Sequence, residues 1–111
     1  MAQAAGPRFR LYWGDHEVAL AEGEHILGRV DEATTAWLES ESVSRRHARI
    51  LIAAGQATLE DLGSKNGTFL GGQRLSSPAP LTDGDEIRLG LVRMTFRTLS
   101  GGTSTKTSPK T

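Results

Sequence analysis

Three short stretches carry most of the side chains able to do chemistry: Gly28-Arg29, Ser44-Arg45-Arg46-His47, and Lys65-Asn66-Gly67-Thr68. Arg29 offers a planar, permanently charged fork that grips phosphate or carboxylate at two points. The second stretch adds a hydroxyl, two more guanidiniums and an imidazole. The third adds an ammonium and a carboxamide that can both donate and accept. Gathered in one place, these groups would make a pocket rich in hydrogen-bond donors, which suits an anion. Lys and Arg number 13 against 13 Asp and Glu. No bulk field therefore points toward nucleic acid or an anionic membrane, and any phosphate affinity must be local.

Something must bring the three stretches together, and the pattern between them supplies it. Ala48 to Ala53 and Gln56 to Asp61 are aliphatic and β-branched runs joined at Ala54-Gly55, a strand-turn-strand signal. An antiparallel pair returns the far end of its second strand to the near end of its first. The loops before Ala48 and after Asp61 should therefore lie side by side. His25 to Gly28 reads as a further strand, ending at Arg29. Before it, Phe9, Leu11 and Trp13 alternate with Arg8, Arg10 and Tyr12, and Val18 and Leu20 alternate with Glu17 and Ala19.

Later in the chain, Thr68 to Leu70 ends at the hairpin signal Gly71-Gly72, and Gln73 to Leu75 returns. Ser76 to Pro80 reads as a Pro-bracketed loop and Asp83-Gly84-Asp85 as a turn. Glu86 to Leu89 and Leu91 to Thr98 alternate, with Ile87, Leu89, Val92, Met94 and Phe96 as the buried set. On the central pair Ala48, Ile50 and Ile52 face one way; His47, Arg49 and Leu51 face the other. Many short strands with frequent turns argue a sandwich or barrel.

In this order, separated by short strands, Gly28-Arg29, Ser44-Arg45-Arg46-His47 and Asn66-Gly67-Thr68 resemble the forkhead-associated (FHA) domain. Glu60-Asp61-Leu62 and Asp83-Gly84-Asp85 extend the resemblance, which covers roughly Phe9 to Leu99. It implies an all-β antiparallel β-sandwich (FHA/SMAD-like) of about eleven short strands with little or no helix, binding phosphothreonine peptides. For Asp31 to Glu41 it implies an irregular loop followed by a short strand near Ala36 to Glu39. A helical turn over Ala33 to Glu39, capped by Asp31, is the competing reading.

A phosphothreonine brings about −1.5 to −2 charges and three strong acceptors. The resemblance makes Arg29 its main cation, with Ser44 giving a hydroxyl and its backbone N–H and Arg45 a second positive contact. Asn66 would hold the main chain of the bound peptide. Lys65 departs from the pattern, standing where family members often present a hydroxyl to the phosphate. His47 matches a histidine that braces the Ser44 loop without touching ligand, and Gly28 and Gly67 belong to the scaffold. Threonine would be told from serine by an apolar notch for one methyl group.

Other chemistries find less support. There is no cysteine, so disulfides and thiolate metal sites are excluded. His16, His25 and His47 lack metal-ligand spacing. Ser44 and His47 lack an evident acid to make a nucleophile and base of them. The basic run at Ser44 to Arg49 lacks interleaved aromatics for nucleic acid. No apolar run approaches a membrane span, and Met1 to Pro7 lacks the apolar stretch of a secretion signal.

The expectation is a cytoplasmic, monomeric interaction module with no catalytic residue, metal or cofactor. Its partner would be a phosphothreonine-containing protein or peptide, a Ser/Thr kinase or its substrate, with neither nucleic acid nor membrane as a target. Alternatives are a degenerate FHA domain that assembles without phosphate, and recognition of its own tail phosphorylated at Thr103, Thr105 or Thr107. The expected organisation is a flexible segment over 1–7, one domain over 8–99, and a disordered Gly/Ser/Thr/Lys tail over 100–111.

Overall fold

The computed structural model describes residues 8–29, 34–38 and 40–99, without the side chains of 34–37. The expectations for 1–7 and 100–111 lie outside them. Among the described residues eleven strands follow one another: β1 (Arg8–Trp13), β2 (His16–Leu20), β3 (Gly23–Gly28), β4 (Thr34–Trp37), β5 (Ala48–Ala53), β6 (Gln56–Asp61), β7 (Thr68–Leu70), β8 (Gln73–Arg74), β9 (Ala79–Leu81), β10 (Glu86–Leu89) and β11 (Val92–Leu99). They form a six-stranded sheet, in the order β2-β1-β11-β10-β7-β8, and a five-stranded sheet, in the order β4-β3-β5-β6-β9. Every pairing is antiparallel except β3 with β4. No described residue is helical.

Period-two patterning explains the packing. Each inner face contributes alternate aliphatic side chains, and Leu11, Leu27, Ile50, Leu59, Ile87, Leu89, Met94 and Phe96 are almost wholly removed from water. Phe9 stacks on Phe96 with ring centroids 5.6 Å apart, bridging the β1–β11 ladder. Outward positions carry charge: Arg10 pairs with Glu17, Arg49 with both Glu24 and Glu60, and Arg97 with Asp83.

Three local expectations are corrected. Ser76 to Pro80 is not wholly loop: Ala79–Leu81 is a strand, with Pro80 opposite Thr58. β9 is the sheet's edge, where a residue with no N–H to donate is tolerated. Between Asp31 and Glu41 the strand comes at Thr34–Trp37, two residues ahead of the expected span, and no helical turn forms over it. His47 does not continue the outward set of β5. It precedes the strand and is fully buried.

Register then places the loops. Leu27 pairs with Ala48 and Ala48 with Asp61, so β3 ends, β5 begins and β6 ends on one level. In the other sheet Thr68 pairs with Leu89. The loops after β3, before β5, between β6 and β7, and between β10 and β11 therefore share one pole. Arg8 pairs with Leu99, so β1 begins and β11 ends at the other pole.

Candidate functional site

A surface pocket of about 290 Å³ opens at the loop-bearing pole, lined by Arg29, Glu41, Ser42, Val43, Ser44, Lys65 and Asn66. A larger hollow of about 420 Å³ lies at the other pole, around Phe9, Leu20 and Gly55. Of its two arginines Arg10 is already paired with Glu17, and it gathers no comparable set of donors.

The pocket's wall is held by backbone before any side chain acts. The N–H of Arg29 donates to the Ser44 carbonyl at 3.0 Å, and that of His47 to the Leu27 carbonyl at 2.9 Å. This draws the Ser44 loop hard against the end of β3. Only glycine fits at the crossing: a Cβ on Gly28 would sit 1.7 Å from the carbonyl oxygen of Arg45. Gly28 is thus required by a neighbouring loop's backbone, and not by the approach of a ligand.

His47 ties the second loop to the third. Its Nδ1 accepts the Ser44 N–H at 3.0 Å, which places the ring proton on Nε2, and Nε2–H donates to the Gly67 carbonyl at 2.8 Å. Burial pushes the His47 pKa below its ordinary 6.5, against the opposing pull of the Gly67 carbonyl and of the Asp61 charge. Both ring nitrogens are engaged, so His47 has no lone pair for the Ser44 hydroxyl and the two do not form a nucleophile and base.

The third loop is organised by Asp61. Its Oδ2 accepts the N–H groups of Gly63 and Ser64, each at 3.0 Å. Its Oδ1 accepts the hydroxyls of Ser64 at 2.5 Å and Thr68 at 2.6 Å. Partial burial alone would raise the Asp61 pKa; these hydrogen bonds outweigh it and hold the carboxyl below the usual range. Gly67 takes φ +91°, a left-handed conformation suited to glycine.

The groups left facing the pocket can now be counted. Ser44 Oγ accepts the Lys65 N–H at 3.1 Å and keeps its own proton to donate. The Ser44 backbone N–H, expected to serve a phosphate, is occupied by His47. Asn66 Nδ2 donates to the Ser42 carbonyl at 2.8 Å, leaving its Oδ1 as an acceptor for a peptide N–H. Arg29 lines the pocket, and its guanidinium makes no ion pair among the described residues. Lys65 lines it too; Arg45 is exposed beside it without forming its wall.

Residues missed in the sequence complete the site. Ser42 carries Asn66 on its carbonyl, and its Oγ accepts the Leu91 N–H at 2.9 Å. Gly90 packs so closely on Ser42 that a Cβ there would lie 2.2 Å from the Ser42 carbonyl oxygen. Neither serine nor glycine signals such a role alone; an acid placed before a Gly-Ser turn, as at Asp61, could have been found.

The FHA-domain family model matches residues 25–90, more than half of the chain. The chain belongs to the FHA family. The FHA domain-containing protein FhaB of Mycobacterium tuberculosis is 31% identical over 80 residues, which are 72% of this chain and 51% of FhaB. An FHA domain solved in a study of phosphothreonine-dependent FHA interactions is 35% identical, with a TM-score of 0.76, over 81% of this chain and 95% of its own. Mycobacterium tuberculosis EmbR, solved with a low-affinity phosphopeptide, is 30% identical, with a TM-score of 0.77, over 88% of this chain and 26% of EmbR. This FHA chain thus spans about half the length of FhaB and about a quarter of EmbR.

Proposed function

We propose that this FHA domain is a non-catalytic, phosphothreonine-dependent interaction module. It takes a phosphorylated segment of another protein, a Ser/Thr kinase or a kinase substrate. The observation that carries the reading is that Arg29, Ser44 and Asn66 line one pocket. Arg29 pairs with the phosphate, Ser44 Oγ–H donates to it, and Lys65 and Arg45 add charge from the rim. Asn66 holds the peptide main chain. A small apolar notch beside the phosphate takes the threonine methyl. Its ligand is made with ATP, and the domain works in the cytoplasm as a single copy, without cofactor or metal.

Calorimetric titration with a phosphothreonine peptide, its phosphoserine analogue and its unphosphorylated form tests this. The phosphothreonine peptide should bind, the unphosphorylated one should give no heat, and phosphoserine should bind about tenfold more weakly, since one methyl in a pocket is worth roughly 1–3 kcal/mol. Equal heats from the phosphorylated and unphosphorylated peptides would refute the proposal.

A further inference from the structure

Four side chains form one row across the outer face of the six-stranded sheet, next to the pocket: Arg74 on β8, Phe69 on β7, Arg88 on β10 and Arg93 on β11. Register sets them abreast, since Phe69 pairs with Arg74 and with Arg88, and Arg88 with Arg93. Their chain neighbours Leu89 and Met94 fill the core, which turns the arginines outward. The Arg88 guanidinium lies 3.9 Å from the centroid of the Phe69 ring, and its Nη1 donates to the Gly90 carbonyl at 2.6 Å. Arg74 runs across Gly67, where an added Cβ would be 2.8 Å from its Nε.

None of the three makes an ion pair among the described residues, whereas Arg10, Arg49 and Arg97 all do. Glu86, the acid on the same strand as Arg88, makes none either. Like charges directly opposite each other across a ladder repel. The bare row therefore raises the free energy of the unliganded domain, and an anion laid over it would relieve that repulsion.

The row is continuous with the pocket. Gly67 follows Asn66, the Gly90 N–H donates to the Gly67 carbonyl at 3.2 Å, and the Leu91 N–H reaches Ser42 Oγ. Leu91, 79% exposed, stands on the turn between them. Four strands at about 4.8 Å spacing make the row about 14 Å long, the span of four or five residues of extended peptide.

We infer that the Arg74–Phe69–Arg88–Arg93 row is a second docking surface, which takes an acidic flank of the same peptide that places its phosphothreonine in the pocket. This rests on the reading of the pocket given above. Carboxylates and a second phosphate share the chemistry the guanidinium forks accept. Nucleic acid fits less well, because the row is one residue deep on a chain of zero formal charge.

The test titrates the 111-residue chain with peptides sharing one phosphothreonine core. One has neutral flanks, one carries three Asp or Glu residues before the core, one carries three after it, and one carries a second phosphoserine in place of the better acidic flank. One acidic-flank peptide should bind about five- to twentyfold tighter than the neutral one at low salt, the gain shrinking as salt screens it. The phosphoserine arm shows which anion serves better, and a gain from either supports the inference. The double variant Arg74→Glu/Arg93→Glu should erase the gain and leave neutral-flank affinity within about twofold, because neither residue touches the pocket. Among the described residues neither side chain makes a hydrogen bond, so the fold should keep its stability, and an unchanged melting temperature checks this.

Equal affinity for every flank, or a gain that survives the double variant, overturns the inference. So does a single-stranded oligonucleotide that binds at about 150 mM salt through the same two arginines. A neutral-flank peptide that fails to bind at all would instead indict the pocket.

Discussion

Ser44 and His47 are joined by a 3.0 Å hydrogen bond in which the serine's backbone N–H donates to the ring's Nδ1. The same ring donates through Nε2 to Gly67. One neutral imidazole thus fixes the distance between the loop that offers a hydroxyl and the loop that offers a carboxamide. Protonation would put a second N–H against the Ser44 N–H and break the first bond.

That relationship sets a pH dependence. The folded pKa of His47 lies below its unfolded value, so the unfolded chain binds the extra proton first and stability rises with pH in that window. Stability should be level above about pH 6.5 and fall below it, by up to about 1.4 kcal/mol per unit from this group. Asp61, also lowered, adds a second loss only below about pH 4. Urea melts between pH 4.5 and 8 check the first window. His47→Ala should flatten it and cost about 2–4 kcal/mol, having stripped one buried and one part-buried hydrogen bond.

Arg29→Ala should weaken phosphothreonine-peptide binding by roughly 2–5 kcal/mol while leaving the melting temperature near that of the parent. Its guanidinium makes no ion pair among the described residues. Calorimetry and thermal melts on one preparation measure both. Arg29→Lys should recover only part of the loss, as a point charge replaces a two-point fork.

Gly28→Ala adds one methyl group where 1.7 Å separates it from a carbonyl oxygen. The Ser44 loop must then move or the strand end must open. Destabilisation of about 3 kcal/mol or more is expected, with binding lost even where folding survives. Chemical-shift mapping should show Arg29, Ser44 and His47 displaced together.

Glu41 brings a carboxylate to a pocket meant for an anion. Glu41→Gln should therefore tighten phosphopeptide binding about two- to fivefold at low salt, with the gain fading at high salt because Glu41 is exposed. Titrations at two ionic strengths decide it.

Ala54 has φ +54° in the β5–β6 turn, beside Gly55 at +75°. Both central residues are left-handed, the pattern of a turn that favours Asn-Gly. Ala54→Asn should stabilise the domain by about 0.5–1 kcal/mol without touching affinity. A melting temperature that falls would count against the strain.

The ladders could be read from the chain because outward and inward residues alternate, as in Phe9, Arg10 and Leu11. The three pocket stretches stood out by their order along the chain, since each alone is ordinary turn chemistry. Other features depend on partners distant in sequence. Pro80 disguised β9, since a proline blocks a central strand and suits an edge one. β4 pairs in parallel with β3, an arrangement no local alternation reports. The commitment of the Ser44 N–H to His47, and the seat of Asn66 on Ser42, are contacts across loops whose residues give no periodic signal. The arginine row needs the registers of three strand pairs before Arg74, Arg88 and Arg93 become neighbours.

The pairing of Arg8 with Leu99 has a consequence for anything attached there. The eight residues of β11 carry the chain about 25 Å from the Leu91 turn to its exit. The first strand therefore starts, and the last strand ends, on the pole opposite the pocket. A partner seated among Arg29, Ser44 and Asn66 approaches from the far side of the sandwich, so whatever is joined at Leu99 does not compete with it for space.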